Sequence, residues 1–475
     1  MTTIFPFRFY QIDAARFLVS SDAGDFFLTT GRFVDRLAER NLTPADEAFL
    51  LRKGFAFEQP GDLYFTSHVA RLRARKRTPR ELRYVIAIPT LRCQMSCRYC
   101  QVSRADLNAD GYDWSEEHVI QFIQFLDAHG GNEIKVEFQG GEPTLRIDII
   151  RRVIEFCDRR FKYASYVICT HLGHLTDEQL DLFAHPRISL STSVDGPTAA
   201  HTRNRTGSEA DTRRVWDNIL LVRDRFGSAK IAALPTITPD VYGDIAKVIE
   251  AYAALGFSEV YLRPVHFHGF ARKQFSSLRS EVDDWLRAYE SAVRHLFHRN
   301  ENADSRILEY NLALALKRIF HRGYNGHVDL RTPSPVGQDY VVVNFDGSLY
   351  PSDEARMLSR IGLVDLRIGS VADGLDDAAV RILNWNNLND VHEDCIHCAF
   401  QPYCGADAID DVARYSRINV PKHLTWFCKW HTFLFELAFK LIAENDPVVL
   451  ANLNFHLTGR YAPTPFYRHL SYDPA

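Results

Sequence analysis

Cys93, Cys97 and Cys100 lie in one short run, Leu91-Arg92-Cys93-Gln94-Met95-Ser96-Cys97-Arg98-Tyr99-Cys100-Gln101. The spacing is C-x3-C-x2-C. Three thiolates this close can hold three irons of a [4Fe–4S] cube and leave the fourth iron without a protein ligand. An iron left open can bind a small molecule, which points to redox chemistry. Zinc prefers four closed nitrogen or sulfur ligands in paired spacings, and a triplet suits it poorly. The plain alternative is three buried thiols.

A second group, Cys395-Ile396-His397-Cys398, is completed by Cys404 and Cys428. Four thiolates can close one metal site, and zinc or an iron–sulfur cluster would both fit. Between the groups runs Gly140-Gly141-Glu142-Pro143-Thr144. Its glycines allow close backbone approach to a ligand, and its carboxylate can accept charge-assisted bonds from an ammonium group. Ser191-Thr192-Ser193-Val194-Asp195-Gly196-Pro197 reads as a polar turn with breakers, and His201, Arg203 and Arg205 follow it. Asp353-Glu354 could do acid–base work if buried beside a reacting centre, or simply cap a turn. Cys157 and Cys169 stand alone and read as core thiols.

With these motifs the chain resembles the radical S-adenosylmethionine (SAM) superfamily. The resemblance implies that Cys93, Cys97 and Cys100 hold a SAM-binding [4Fe–4S] cluster, whose electron cleaves SAM to a 5′-deoxyadenosyl radical. It further implies that Tyr99 packs on the adenine and that Gly140, Gly141 and Glu142 form the amino-group motif. Ser193 and Arg205 match the residues at SAM's carboxylate end, and Asp195 is expected to be structural. Thr170-His171 departs from the usual Thr-Asn of the family. The carboxy-terminal cysteines resemble the SPASM extension of peptide-modifying members, which normally carries seven cysteines and two auxiliary clusters. Here Ser352 stands where one cysteine is expected, Ala408 replaces another, and no cysteine occurs between 320 and 347. One auxiliary [4Fe–4S] cluster on Cys395, Cys398, Cys404 and Cys428 is therefore expected. Asp353 matches the aspartate that acts as base in sulfatase-maturing relatives.

Several stretches, among them Glu137-Phe138-Gln139-Gly140-Gly141-Glu142-Pro143 and Tyr350-Pro351-Ser352-Asp353-Glu354-Ala355-Arg356-Met357-Leu358, resemble the paired radical SAM maturases of His-Xaa-Ser repeat peptide systems. That group implies a ribosomally made precursor peptide as substrate and a second radical SAM maturase as partner. A flavodoxin or ferredoxin would be the electron donor. The rivals are a sulfatase-type formylglycine maturase, a small-molecule radical SAM enzyme and a non-catalytic iron–sulfur partner protein.

The elements that must position these residues are legible as alternation. Tyr84–Leu91, Glu133–Gln139, Tyr163–Thr170, Arg187–Val194, Lys230–Ile237 and Glu259–Val265 read as short buried strands. Amphipathic segments of helical length separate them: Ser115–Ala128, Ile147–Arg159, Asp177–Phe183, Ala210–Arg225, Val241–Leu255 and Glu281–Phe297. Six such units predict a parallel α/β fold, and the resemblance implies an open (β/α)6 partial TIM barrel. Residues 81–300 are this core, 301–338 a helical linker, 339–445 a SPASM/twitch-like domain and 446–475 a tail. Residues 1–80 form a small α+β domain with strands Phe7–Gln11, Arg16–Ser20 and Asp25–Thr29 and helices Gly31–Arg40 and Pro44–Lys53. It resembles leader-peptide recognition domains; a structural cap on the barrel is the alternative. The basic run Arg71-Leu72-Arg73-Ala74-Arg75-Lys76-Arg77 reads as a solvated linker.

The whole chain of 475 residues, 46% hydrophobic and 24% charged, has the composition of a globular protein. A net charge of −4 gives no footprint for nucleic acid. No apolar run is long enough for a membrane span, and no secretory signal opens the chain. Nine cysteines, odd in number and clustered, suit metal ligation in a reducing cytoplasm rather than disulfides.

Overall fold

A computed structural model describes residues 2–77, 81–321, 337–464 and 471–472. Residues 322–336, within the expected linker 301–338, lie outside the described residues.

The core units form as alternation demands. Leu82–Thr90, Gly130–Gly140, Tyr163–Cys169, Ile188–Ser193 and Ile231–Leu234 pair side by side in parallel. Ile147–Arg160 shows why the helices pack outside them. Ile147, Ile150, Ile154 and Cys157 repeat at three- and four-residue spacing and are buried, while its arginines reach solvent. Ser115 starts the preceding helix, Glu116–His129, with a capping box to His118.

The sixth strand differs from expectation. Only Glu259–Val260 is extended, and it pairs with Leu308–Glu309 rather than with the main sheet. Pro235 and Pro264 bring no backbone N–H to a ladder. The wall there is carried by a single bridge, Ile237 to Pro264. On the opposite side Tyr340–Val343 joins Leu82–Thr90 in parallel, followed by antiparallel Ser348–Tyr350, Gly369–Ser370 and Gly374–Leu375. The open core and the carboxy-terminal region thus share one nine-stranded mixed sheet among the described residues.

The three amino-terminal strands form as Phe7–Gln11, Phe17–Ser21 and Phe26–Thr29, and Ser471–Tyr472 adds a fourth in parallel. The period of two splits the two inner strands between two cores. Val19 and Phe27 pack with Phe33, Phe49 and Phe55, whereas Leu18, Phe26 and Leu28 join the main core. Phe26 meets Phe320 and Phe439 edge-on. This sheet is therefore built into the molecule.

The basic run corrects an expectation. It is the end of the helix Leu63–Arg75, not a linker. Arg71 pairs with Asp25 at 2.9 Å, and Arg75 is buried beside Asp390 and Gln401. Trp426–Glu444 and Pro447–Thr458 contribute buried side chains to the same main core. A buried polar knot ties these helices to the barrel. Glu309 accepts from the backbone N–H of Leu262 and Leu312 and from Tyr289, while its own N–H donates to His456.

Candidate functional site

The carboxyl ends of the core strands open on a cavity of about 420 Å³. Inward residues repeat every second position: Tyr84 and Ile86, Glu137 and Gln139, Ser191 and Ser193. Their outward neighbours Val136, Phe138 and Leu190 are buried in the core. Glu137 gathers the floor together. It accepts from Tyr84 at 2.7 Å, Gln139 at 2.6 Å and the Cys169 thiol at 3.3 Å, with Lys135 3.3 Å away. Burial opposes the charge on Glu137, but Lys135 and these donors hold its carboxyl below the usual range. Sequence reasoning missed this floor, although polar residues at period two inside apolar strands were its signal. Cys169 is accordingly half-buried on the cavity wall rather than a core thiol, while Cys157 is fully buried as expected.

The cysteine triplet leaves the first core strand in a loop folded back on itself. Cys93 N–H donates to the Ala105 carbonyl, and Arg92 grips Asp113 through two bonds of 2.9 and 2.6 Å. Gly140 and Gly141 lie against the chain entering the triplet. A Cβ on Gly140 would stand 2.2 Å from the Thr90 carbonyl oxygen, and one on Gly141 2.2 Å from that of Arg92. These glycines are therefore required by chain-on-chain approach. Gly269, unnoticed in the sequence, backs the other side: Phe270 N–H donates to the Cys100 carbonyl at 2.9 Å, and a Cβ on Gly269 would collide with it.

All three thiols line the cavity and lie close enough to influence one another's charge. Burial, with neighbouring Glu142, Cys97 and Cys100, pushes the Cys93 thiol up to about 12. Binding of a metal or cluster must then displace protons.

Tyr99 is buried, and its hydroxyl donates to Asp195 at 2.6 Å while accepting from Arg205 at 2.8 Å. Burial raises the Asp195 carboxyl, partly offset by Arg205 and by donors from Tyr99 and the Thr236 backbone. Burial also opposes the Arg205 charge, yet Cys97, Tyr99 and Asp195 hold that guanidinium well above its usual value. Ser193 and Arg205 line the cavity with the triplet, as do Gly140 and Gly141. Glu142 sits behind them, 2% exposed. Its carboxylate accepts from the Thr144 N–H and hydroxyl and from the His171 N–H. His171 Nδ1 accepts from Gly173 N–H at 2.8 Å, so its Nε2 carries the proton, 3.1 Å from Glu142. The departure from the Thr-Asn pattern thus supplies a partner for Glu142.

Asp353 lines the same cavity, at the start of the helix Asp353–Arg360. Ser352 caps that helix through the Ala355 N–H. Asp353 accepts from buried Arg356 Nε at 2.8 Å. Cys395, Cys398, Cys404 and Cys428 lie outside the cavity and gather elsewhere, where Cys395, Cys398 and Cys428 all act on the charge of Cys404. Burial pushes the Cys395 thiol up to about 12. Among the described residues, only His266, His268 and Asp410 bring three metal-ligating atoms within 4.8 Å of one another. Four gathered thiols fit a closed sulfur-ligated site, a donor set that either one zinc ion or a four-iron cube would satisfy.

The sequence model of the Radical SAM superfamily matches residues 87–251, the stretch that carries the triplet, Glu137 and Cys169. Residues 87–251 are a radical SAM domain. Radical SAM proteins are enzymes that bind a [4Fe–4S] cluster and SAM, and cleave SAM. The domain is similar to an uncharacterized protein of Methanocaldococcus jannaschii, 26% identical over 117 residues, covering 24% of this chain and 39% of that protein. An uncharacterized protein of Methanothermobacter thermautotrophicus is 28% identical over 117 residues, covering 24% of this chain and 43% of that protein. The chain thus spans about two-fifths of the curated relatives it matches. In fold it is similar to anSMEcpe with bound AdoMet, with TM-score 0.60, 16% identity and coverage of 76% of this chain and 98% of that one. It is also similar to Streptococcus suis SuiB bound to precursor peptide SuiA, with TM-score 0.52, 11% identity and coverage of 90% and 100%. These likenesses confirm the α/β radical SAM fold with an open, mixed sheet. No helix among the described residues is long and apolar enough to cross a membrane.

Proposed function

We propose that this chain is a radical SAM peptide maturase that modifies residues of a ribosomally made precursor peptide. One observation carries the reading: Cys93, Cys97, Cys100, Tyr99, Ser193, Arg205 and Asp353 line a single cavity at the carboxyl ends of the core strands. When bound there, a [4Fe–4S] cluster and SAM supply a 5′-deoxyadenosyl radical able to abstract hydrogen. Cys93, Cys97 and Cys100 hold the cluster, and the Gly140-Gly141 backbone and Glu142 orient the amino end of SAM. Ser193 and Arg205 receive its carboxylate, and Tyr99 is held in place to pack on the adenine. Asp353, on the same cavity, takes the substrate proton. Cys395, Cys398, Cys404 and Cys428 would hold one auxiliary cluster, which would supply a one-electron acceptor.

The peptide reading is supported by the fold likeness to two proteins whose structures hold peptides, anSMEcpe with AdoMet and Cp18Cys peptide, and SuiB with SuiA. Phe7–Gln11 is the outer strand of its sheet among the described residues, with Phe9 half exposed, which suits strand addition by a leader peptide. The same sheet also seals the main core, so both roles assigned to residues 1–80 belong in the proposal. The finer reading is a maturase of His-Xaa-Ser repeat peptides, working with a second radical SAM protein and a flavodoxin or ferredoxin.

The test is co-expression with a candidate His-Xaa-Ser repeat precursor peptide, mass spectrometry of that peptide, and measurement of 5′-deoxyadenosine. A peptide mass change that disappears when Cys93, Cys97 and Cys100 are replaced together by alanine is expected. SAM turnover retained by that variant would overturn the assignment.

A further inference from the structure

A second, smaller cavity adjoins the first, and Arg263, His266, Glu354 and Asp407 line both. On this partition His266, His268 and Asp410 converge. Their ligand atoms lie within 4.8 Å of one another. We infer that they bind a single divalent transition-metal ion, of the zinc or iron(II) type, independent of both cysteine groups.

The donor set is two imidazoles and one carboxylate, a combination that suits first-row divalent metals and leaves coordination positions open. His268 is 1% exposed, and its Nδ1 has no hydrogen-bond partner. A buried ring nitrogen left unpaired is costly unless something outside the protein satisfies it. The turn that carries the two histidines is closed by its own backbone, His268 N–H donating to the His266 carbonyl at 2.9 Å. That turn brings the two rings near each other, with centroids 6.2 Å apart.

Asp410 is held from the other side. Arg414 Nε lies 2.8 Å from each of its oxygens. A carboxylate has about four lone-pair sites, so Arg414 orients Asp410 and leaves acceptor capacity for a metal. Glu354, Asp407 and Arg263 also line this small cavity. Metal–nitrogen bonds of about 2.1 Å place tetrahedral ligand atoms about 3.4 Å apart, so small side-chain movements complete the site. The cavity of about 60 Å³ has room for water in the open positions.

The proposal differs from a sulfur-ligated cluster in a way that can be read directly. The full-length protein, clusters intact, is incubated anaerobically with zinc(II) and freed of excess by gel filtration. Zinc is counted by mass spectrometry, and the zinc K-edge extended fine structure is recorded. About one zinc per chain, with a nitrogen/oxygen shell and imidazole outer-shell scattering, is expected. His268→Gln should lower bound zinc at least about tenfold with iron content unchanged, because it removes one of three ligands. Zinc equal in His268→Gln and the unchanged protein would overturn the proposal, as would no retained zinc. A sulfur shell would overturn it too, because the zinc would then sit on cysteines. If His268→Gln does not fold, the shell measured on the unchanged protein decides alone.

Discussion

Tyr99 donates its hydroxyl proton to Asp195 at 2.6 Å, and so ties the cysteine loop to the turn after the strand Ile188–Ser193. Arg205 completes the contact from the short helical turn Thr202–Thr206. Three of the sequence motifs therefore meet at one buried hydroxyl. Tyr99→Phe keeps the ring and strands a buried carboxylate and guanidinium without their shared partner. A loss of about 1–3 kcal/mol of stability is expected, together with weaker SAM binding by equilibrium dialysis. Unchanged melting and unchanged affinity would show that the hydroxyl does nothing.

Iron content separates the two cysteine groups. About eight irons per chain are expected in the reconstituted protein and about four when Cys93, Cys97 and Cys100 are all alanine, from two four-iron cubes. About twelve would mean that residues other than cysteine fill a further cluster site.

Gly141→Ala tests the packing under the triplet. The added Cβ meets the Arg92 carbonyl at 2.2 Å and the Leu91 carbonyl at 2.5 Å. Backbone must move, at a cost of about 1–3 kcal/mol, and the loop that presents Cys93 moves with it. Reduced iron on the triplet, with the second cluster retained, is the expected pattern in Mössbauer spectra. Full iron loading would place the strain elsewhere.

Asp353→Asn removes a proton acceptor but leaves a side chain of the same shape against Arg356. If Asp353 is the base, peptide modification should fall about 10²-fold or more, the usual worth of general base catalysis. SAM cleavage without peptide should stay within about twofold, because no proton transfer is asked of Asp353 there. Equal loss of both, with a lowered melting temperature, would assign Asp353 to the Arg356 pair alone.

Glu309 should make stability depend on pH. Burial raises its carboxyl from 4.5 to about 7, against donors from Tyr289 and three backbone N–H groups. The unfolded chain releases this proton near its ordinary value and the folded chain only near 7. The folded state therefore holds the extra proton in between, and stability falls as pH rises through that window, then levels. Glu309→Gln should remove this part of the slope in thermal melts taken between about pH 5 and 8. An unchanged slope would assign it to other groups.

The chemistry of this protein was legible locally because iron–sulfur ligation depends on closely spaced thiols. Cys93, Cys97 and Cys100 are neighbours in the chain, and five of the six core strands announced themselves as apolar runs between amphipathic helices. The cavity floor was not legible. Tyr84, Glu137 and Cys169 come from three strands, and only parallel pairing in register places their side chains on one face. The same holds for His266, His268 and Asp410, where a turn and a distant helix meet through packing. The sixth strand is shorter than its apolar run because composition does not reveal whether a neighbouring strand offers a ladder, and Pro264 here and Pro235 on the neighbouring segment bring no donors to one. The basic run Arg71–Arg77 departs from a solvated linker for a related reason. Charge along a chain says nothing of partners that arrive from elsewhere, and Asp25 and Asp390 are brought to Arg71 and Arg75 only by the fold. Sequence alone determined which groups can do chemistry; tertiary structure decided which of them share a cavity, because that depends on contacts between residues far apart in the chain.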